Sequence, residues 1–242
     1  MNNVDLLRVH HYDKKIRLGT WGDGGYVIGL LDADYDCYIS CGVAGEESFS
    51  RDFINTYNMN NSNCFGFDGS IDTYPYHYTN RITFIKKYIS NINDEMNTNL
   101  DFLLNTYNNI FMKIDIEGGE YPWLLSIDEN KLKKFKQIVI EFHGITDDGW
   151  GCLYSDKMKC LQKLSNTHYI IHAHGNRCGP DVFGFPDVIE LTYVNKECFS
   201  SPPKLNTTPL PVSYLDCSNL TNHPDIDLNF YPFTTPILDF SP

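Results

Sequence analysis

No run of roughly 18 or more apolar residues, the length a membrane-spanning helix needs, occurs in this 242-residue chain. Its opening stretch MNNVDLLRVHHYDKK also lacks the apolar core of a secretion signal, so a cytoplasmic protein with no membrane partner is expected. Positive charge is scarce as well: 19 Lys and Arg stand against 31 Asp and Glu, for a formal net charge of −12. Nucleic-acid binding depends on cations set against phosphates, so nucleic acid is excluded and a small-molecule or carbohydrate partner is favoured. The eight cysteines (Cys37, Cys41, Cys64, Cys152, Cys160, Cys178, Cys198 and Cys217) contain no C-x-x-C pair. In a chain of this length with no secretion signal they read as buried thiols, not as a disulfide framework or a zinc site.

What is present suits one α/β domain spanning 1–242, since a 42% hydrophobic composition is ample for a core. Short apolar runs at 36–41, 64–67, 81–89, 110–116, 135–143, 168–174 and 188–194 read as strands. Between them, 46–57, 99–107 and 152–164 carry a helical period, the last with Leu153, Met158, Leu161 and Leu164 inward. The core lies within 16–195, and residues 1–15 receive no role. Residues 198–242 are proline-rich and aperiodic, yet they carry too many apolar side chains for a solvated coil (Leu210, Val212, Tyr214, Leu215, Phe230, Tyr231, Phe233, Ile237, Leu238 and Phe240). An extended segment packed on the core is expected.

The chain is organised around IFMKIDIEGGEYPW at 110–123. Residues two apart in a strand point the same way, so Asp115 and Glu117 would share one side of a buried strand that ends at Gly118 and Gly119. Open α/β sheets bind ligands at the carboxyl ends of their strands, and two carboxylates on an apolar strand are unfavourable unless paired or used. Glu120 reads as a cap of the following helix. A second strand ends in Glu141 and His143, which again share a face. Upstream, Gly42-Val43-Ala44-Gly45 links a strand to a helix as a G-x-x-G turn, shorter than the dinucleotide fingerprint, and suits a mononucleoside-like cofactor. Asp68 lies 23 residues beyond Gly45 at the end of the next strand, placed to accept from two ribose hydroxyls. Asp23, Gly24 and Gly25 sit in a tight turn that is either a plain hairpin or a close backbone approach to a ligand.

Together GDGGYVI (22–28), YISCGVAGEESF (38–49), CFGFDGS (64–70), KIDIEGGE (113–120), IVIEFHG (138–144), HAHGN (172–176) and FPDVIELTYV (185–194) resemble the FkbM-like S-adenosylmethionine-dependent methyltransferases. The resemblance implies a Rossmann-like class I fold: a seven-stranded, mainly parallel sheet of order 3-2-1-4-5-7-6 with strand seven antiparallel, flanked by helices. It further implies O-methylation of a hydroxyl, chiefly of a sugar or glycan. Ser40, Gly42 and Gly45 would hold the methionine part of the cofactor, Asp68 its ribose, and Asp23, Gly24 and Gly25 would cover it. Ser40-Cys41 stands where the family carries an acid before the glycine, which leaves the partner of the cofactor's amino group open.

A hydroxyl must lose its proton to attack a methyl group, through a base or a metal-stabilised alkoxide. Asp115, Glu117 and His143 are the catalytic candidates. Asp115, Glu141 and His143 are the candidate ligands for a divalent ion, Mn²⁺ ahead of Mg²⁺ because of the imidazole. Three other readings compete. A metal-dependent hydrolase could use D-x-E and H-x-H, although Asn176 is followed by Arg177 where such enzymes continue to histidine. An NAD dehydrogenase lacks its longer glycine fingerprint here. A catalytically silent cofactor-binding module stays open. Acceptor choice is expected to lie in 71–80, with its tyrosines, and in the tail.

Overall fold

The computed structural model describes residues 3–32, 34–75 and 80–235. Seven strands form the central sheet: β1 (Cys37–Cys41), β2 (Cys64–Phe67), β3 (Thr83–Ile85), β4 (Ile110–Ile114), β5 (Phe135–Phe142), β6 (His168–Gly175) and β7 (Ile189–Asn195). Counted within this sheet alone, they lie side by side as β3-β2-β1-β4-β5-β7-β6. The first five are mutually parallel, whereas β7 is antiparallel to both β5 and β6. Strand β4, at the centre, is buried along its whole length. That is why it reads as a near-continuous apolar run, with Lys113 the one exception.

Period-two alternation sorts the sheet residues into two cores. Tyr38, Phe111 and Val139 face helix α1 (Ser48–Thr56) and an N-terminal hairpin of Lys15–Leu18 with Tyr26–Gly29. Ile39, Met112 and Ile138 face the other core. That second layer is built by α2 (Asp101–Leu104), α3 (Glu120–Ser126), α4 (Glu129–Leu132) and α5 (Tyr154–Thr167). Pro122 sits in the first turn of α3, where its missing N–H leaves no helical bond unmade. The hairpin docks through the buried Gln137 of β5, whose amide accepts from Gly29 N at 2.7 Å and donates to Gly29 O at 3.0 Å. Among the described residues no helix is long and apolar enough to cross a membrane.

Several expectations need correction. The run at 81–89 is not one strand: it divides into β3 and a two-residue strand, Tyr88–Ile89, paired with Asn97–Thr98. The segment 99–107 keeps only one helical turn, and Leu153 is exposed because the chain enters α5 after it. Cys178 and Cys198 are exposed, although all eight thiols are free. Residues 3–9 are not idle. They place Leu6, Leu7 and Val9 in the core, with Val9 bridging to Ile170 and His10, just beyond, to Leu205. Val9 N donates to Pro232 O at 3.2 Å and Val9 O accepts from Asn206 N at 2.8 Å. Past the short turn Lys196–Cys198, the described tail has no helix or strand, and it buries Leu210, Val212, Leu215, Ile226, Leu228 and Phe233. Tyr214 and Tyr231 are exposed, and Ile237, Leu238 and Phe240 lie outside the described residues.

Candidate active site

A cleft of about 690 Å³ opens at the carboxyl ends of β1, β2 and β4. Its walls are the turns at 23–24 and 42–46, the end of β2 at 67–70, residues 87–89, and the chain leaving β4. Gly42 takes a left-handed φ of +79°, and a Cβ there would lie 1.6 Å from the Asp115 carbonyl oxygen. Its glycine therefore serves the joint between β1 and β4 and is not simply room for a ligand. Gly45 is the reverse case, since an added Cβ would meet only open space.

Asp68 lines the cleft, but its carboxylate is already engaged. Oδ2 accepts from Val43 N at 3.0 Å and Ala44 N at 2.9 Å, and Oδ1 accepts from Ser70 N at 2.7 Å and Ser70 Oγ at 2.6 Å. Burial would raise its pKa, yet these bonds outweigh it and leave the group below the ordinary carboxylate value. Two expected cofactor residues point elsewhere. Ser40 is fully buried and donates to Glu47 Oε1 at 2.9 Å, and Gly25 lies against Thr20 O and the Arg17 guanidinium, off the cleft. Asp23 and Gly24 do line it. Of the 71–80 segment, Tyr74 is buried and donates to Glu47 Oε2 at 2.9 Å, so it supports the core; residues 76–79 lie outside the described residues.

At the edge of the cleft stands a cluster of acids around one histidine. Strand alternation stops short of Glu117, because β4 ends at Ile114 and Glu117 adopts a left-handed φ of 54° followed by Gly118 at 91°. This turn folds Glu117 back instead, to place Oε2 3.4 Å from His143 Nε2. The same nitrogen is 3.5 Å from Glu141 Oε1 and 3.9 Å from Asp115 Oδ1. Ligand atoms of Asp115, Glu117 and His143 lie within 4.8 Å of one another. Glu141 falls outside that set, since its oxygens are taken by Asn176 Nδ2 at 2.7 Å and Tyr26 Oη at 3.3 Å. Burial first, then Asp115 and Glu190, lift the Glu141 pKa well above the ordinary value.

Four residues organise this cluster: three that the sequence does not mark for it, and Glu120, which reads there only as a helix cap. Tyr26 shares its hydroxyl proton between Asp115 Oδ2, at 3.0 Å, and Glu141. Lys113 is buried, donates to Gly42 O at 2.7 Å and lies 3.7 Å from Asp115 Oδ2. Burial lowers its pKa, but the neighbouring acids, Asp115 first and then Glu47, outweigh that and raise it. Asn176 tethers Glu141. Glu120, fully buried, accepts from His143 N and from Gly118 N, each at 3.0 Å, so it fixes the histidine to the turn that carries Glu117. Its Oε1 also lies 3.4 Å from His143 Nδ1, which makes no hydrogen bond among the described residues. The available signal was Lys113: a lysine inside an otherwise apolar strand requires buried counter-charges.

Over this cluster lies Trp150, its ring 4.9 Å from that of His143. The turn bearing it is held by the buried Lys157, whose ammonium donates to the carbonyls of Gly144, Asp147 (2.9 Å) and Gly149 (2.7 Å). A family model described as the methyltransferase FkbM domain matches residues 29–179. No curated protein and no solved structure matches the chain.

Proposed function

Since the chain belongs to the FkbM methyltransferase family, we propose that it transfers a methyl group from S-adenosylmethionine to a hydroxyl of a carbohydrate. The observation that carries this is the cleft at the carboxyl ends of β1, β2 and β4, with a histidine and three carboxylates at its rim. The residues present fit the cofactor. Gly45 faces space that a side chain would fill, Asp68 stands at the end of β2, and Asp23 with Gly24 closes the opposite wall. Asp68 would hold the ribose by exchanging the Ser70 hydroxyl for the cofactor's. Glu46 lines the same wall and supplies the acid that the stretch before Gly42 lacks.

When bound, S-adenosylmethionine supplies an electrophilic methyl group on a sulfonium. The chain's part is to position the acceptor and take its proton. His143 Nε2, held by Glu120 and roofed by Trp150, is the base. Asp115 and Glu117 stabilise the imidazolium that results. Trp150 excludes water from the imidazole. The eight free thiols suit a reducing compartment, consistent with a cytoplasmic site of action.

One observation favours a second reading. The convergence of Asp115, Glu117 and His143 is also a three-ligand site for a divalent cation, with a manganese-like ion best matched to two oxygens and one nitrogen. Such an ion would supply the alkoxide stabilisation that His143 otherwise provides by deprotonation. The test of the main reading is calorimetry with S-adenosylhomocysteine, followed by labelled methyl transfer to a panel of glycans read by mass shift. Binding of NAD with no affinity for either sulfur ligand would overturn it.

A further inference from the structure

A cavity of about 780 Å³ lies at the opposite pole of the sheet from the cofactor cleft, where β4 and β5 begin and β7 ends. It shares no lining residue with that cleft. The N-terminal chain, Leu30 and Leu31 at the exit of the hairpin, and the start of the tail complete its walls.

We propose that this cavity binds a small organic phosphate, with Lys133 and Lys136 on the phosphate and the wall of Tyr12 and Phe199 against its carbon body. The site does not depend on the methyltransferase reading.

Lys136 is aimed by an irregularity of the sheet. Ile110 lies opposite Phe135, but the next residue, Phe111, lies opposite Gln137, so Lys136 is the extra residue of a bulge. In a regular strand Phe135 and Gln137 would share a face, yet Phe135 packs into the helix-side core while Gln137 bonds the hairpin. A bulge re-aims the side chain it carries, and Lys136 lines the cavity. Its charge opposes the rise that burial gives the Cys198 pKa, which sets the ammonium near that thiol.

Lys136 is half-buried, and among the described residues neither its ammonium nor that of Lys133 has a hydrogen bond or ion pair. A partly desolvated cation without a counter-charge is unfavourable, and the chain, at a net −12, has acids to spare. Those lining the cavity are mostly committed elsewhere. Asp13 lies 2.7 Å from His11 Nε2 and Asp32 3.7 Å from Lys14, which leaves the exposed Glu197. Two open lysines thus face one open carboxylate, a local positive excess on an acidic protein. Lysine meets phosphate as a point charge, and two of them match the nearly double charge of a phosphate monoester.

The remaining wall is apolar and fixed. Tyr12 donates its hydroxyl proton to Leu30 O at 3.0 Å, and the Phe199 ring stands edge-on to it at 5.9 Å. A bare phosphate ion would leave that wall uncovered, whereas an organic phosphate meets both halves of the cavity.

The probe is phenyl phosphate, which shares no part with S-adenosylmethionine, with inorganic phosphate and benzylamine as comparisons. Calorimetry and saturation-transfer NMR at low ionic strength read the binding. Phenyl phosphate should bind once per chain and more tightly than either comparison. Lys136→Met should weaken it about tenfold or more, the loss of one charge-assisted bond, and Lys136→Arg should retain it. Both variants should keep the wild-type circular dichroism spectrum, and saturating S-adenosylhomocysteine should leave phenyl phosphate affinity unchanged. No binding of phenyl phosphate, affinity indifferent to Lys136→Met, preference for benzylamine, or competition by S-adenosylhomocysteine would each overturn the proposal.

Discussion

Gly42 and Asp115 are in such close register that a single methyl group on the glycine would sit 1.6 Å from the aspartate's carbonyl oxygen. The glycine turn and the catalytic strand end are therefore one packed unit. Gly42→Ala should destabilise the fold by roughly 3 kcal/mol or more, from strain at positive φ added to the clash. Gly45→Val, by contrast, should unfold at the wild-type temperature and lose at least tenfold in S-adenosylhomocysteine affinity. Thermal denaturation and calorimetry on both variants check this. An unperturbed Gly42→Ala would refute the packing, and a Gly45→Val that binds normally would remove the turn from the cofactor site.

Tyr26 reaches the cluster from outside the sheet to bridge Asp115 and Glu141. Tyr26→Phe removes the bridging proton and leaves two carboxyl groups facing each other. A hydrogen bond to a charged group contributes about 1.5–3 kcal/mol, so kcat/KM should fall about tenfold or more. S-adenosylhomocysteine affinity should hold, because Tyr26 does not line that cleft. Wild-type turnover in Tyr26→Phe would show that the bridge has no part in catalysis.

His143 carries the pH dependence. Burial lowers its pKa, but Glu120, Asp115 and Glu117 outweigh that and leave it above 6.5. A histidine raised in the folded state adds stability that is complete below its unfolded pKa and fades as pH climbs through the folded value. Catalysis needs the neutral ring, so activity should rise over the window in which that stability declines, with a midpoint above 6.5. A pH–rate profile alongside denaturation midpoints for wild type and His143→Gln tests the opposition. An activity midpoint below 6.5 would assign the base to another group.

Chelation separates the two chemistries. With His143 as the base, exhaustive dialysis against EDTA leaves turnover intact and elemental analysis finds no stoichiometric metal. Loss of turnover restored by Mn²⁺, with Asp115→Asn and Glu117→Gln each losing both metal and activity, would establish the cation instead.

Lys157 acts on the site only through the turn that it holds. Lys157→Met keeps the apolar stem but leaves three buried or half-buried carbonyls without their donor, and should cost roughly 3 kcal/mol or more in chemical denaturation. Activity should fall with it, because residues 144–151 carry Trp150 onto His143. A variant as stable as wild type would mean that the turn holds itself.

The strands were legible wherever burial on both sheet faces left an unbroken apolar run, as in β4 and β5. Asp115 and His143 followed because each stands just past such a run. What escaped was whatever depends on partners distant in sequence. Tyr26 meets Asp115 from a hairpin, and Asn176 meets Glu141 from beyond β6. Glu117 was placed with the right neighbours for the wrong reason, since a left-handed turn and not strand alternation brings it to His143. Ser40 fits the family motif as text, but its hydroxyl is spent on Glu47, a choice made by the three-dimensional packing of α1 against β1.

Val9 is hydrogen-bonded through its N–H to Pro232 and through its carbonyl to Asn206, with Ile170 bridging alongside. During synthesis Val9 leaves the ribosome well before Asn206 and Pro232, so it waits for most of the described chain before these partners exist. Leu6 and Leu7 meet helix α5 earlier, but the backbone of Val9 stays unpaired with the tail until then. The N-terminal segment and the tail of the described chain therefore mature together.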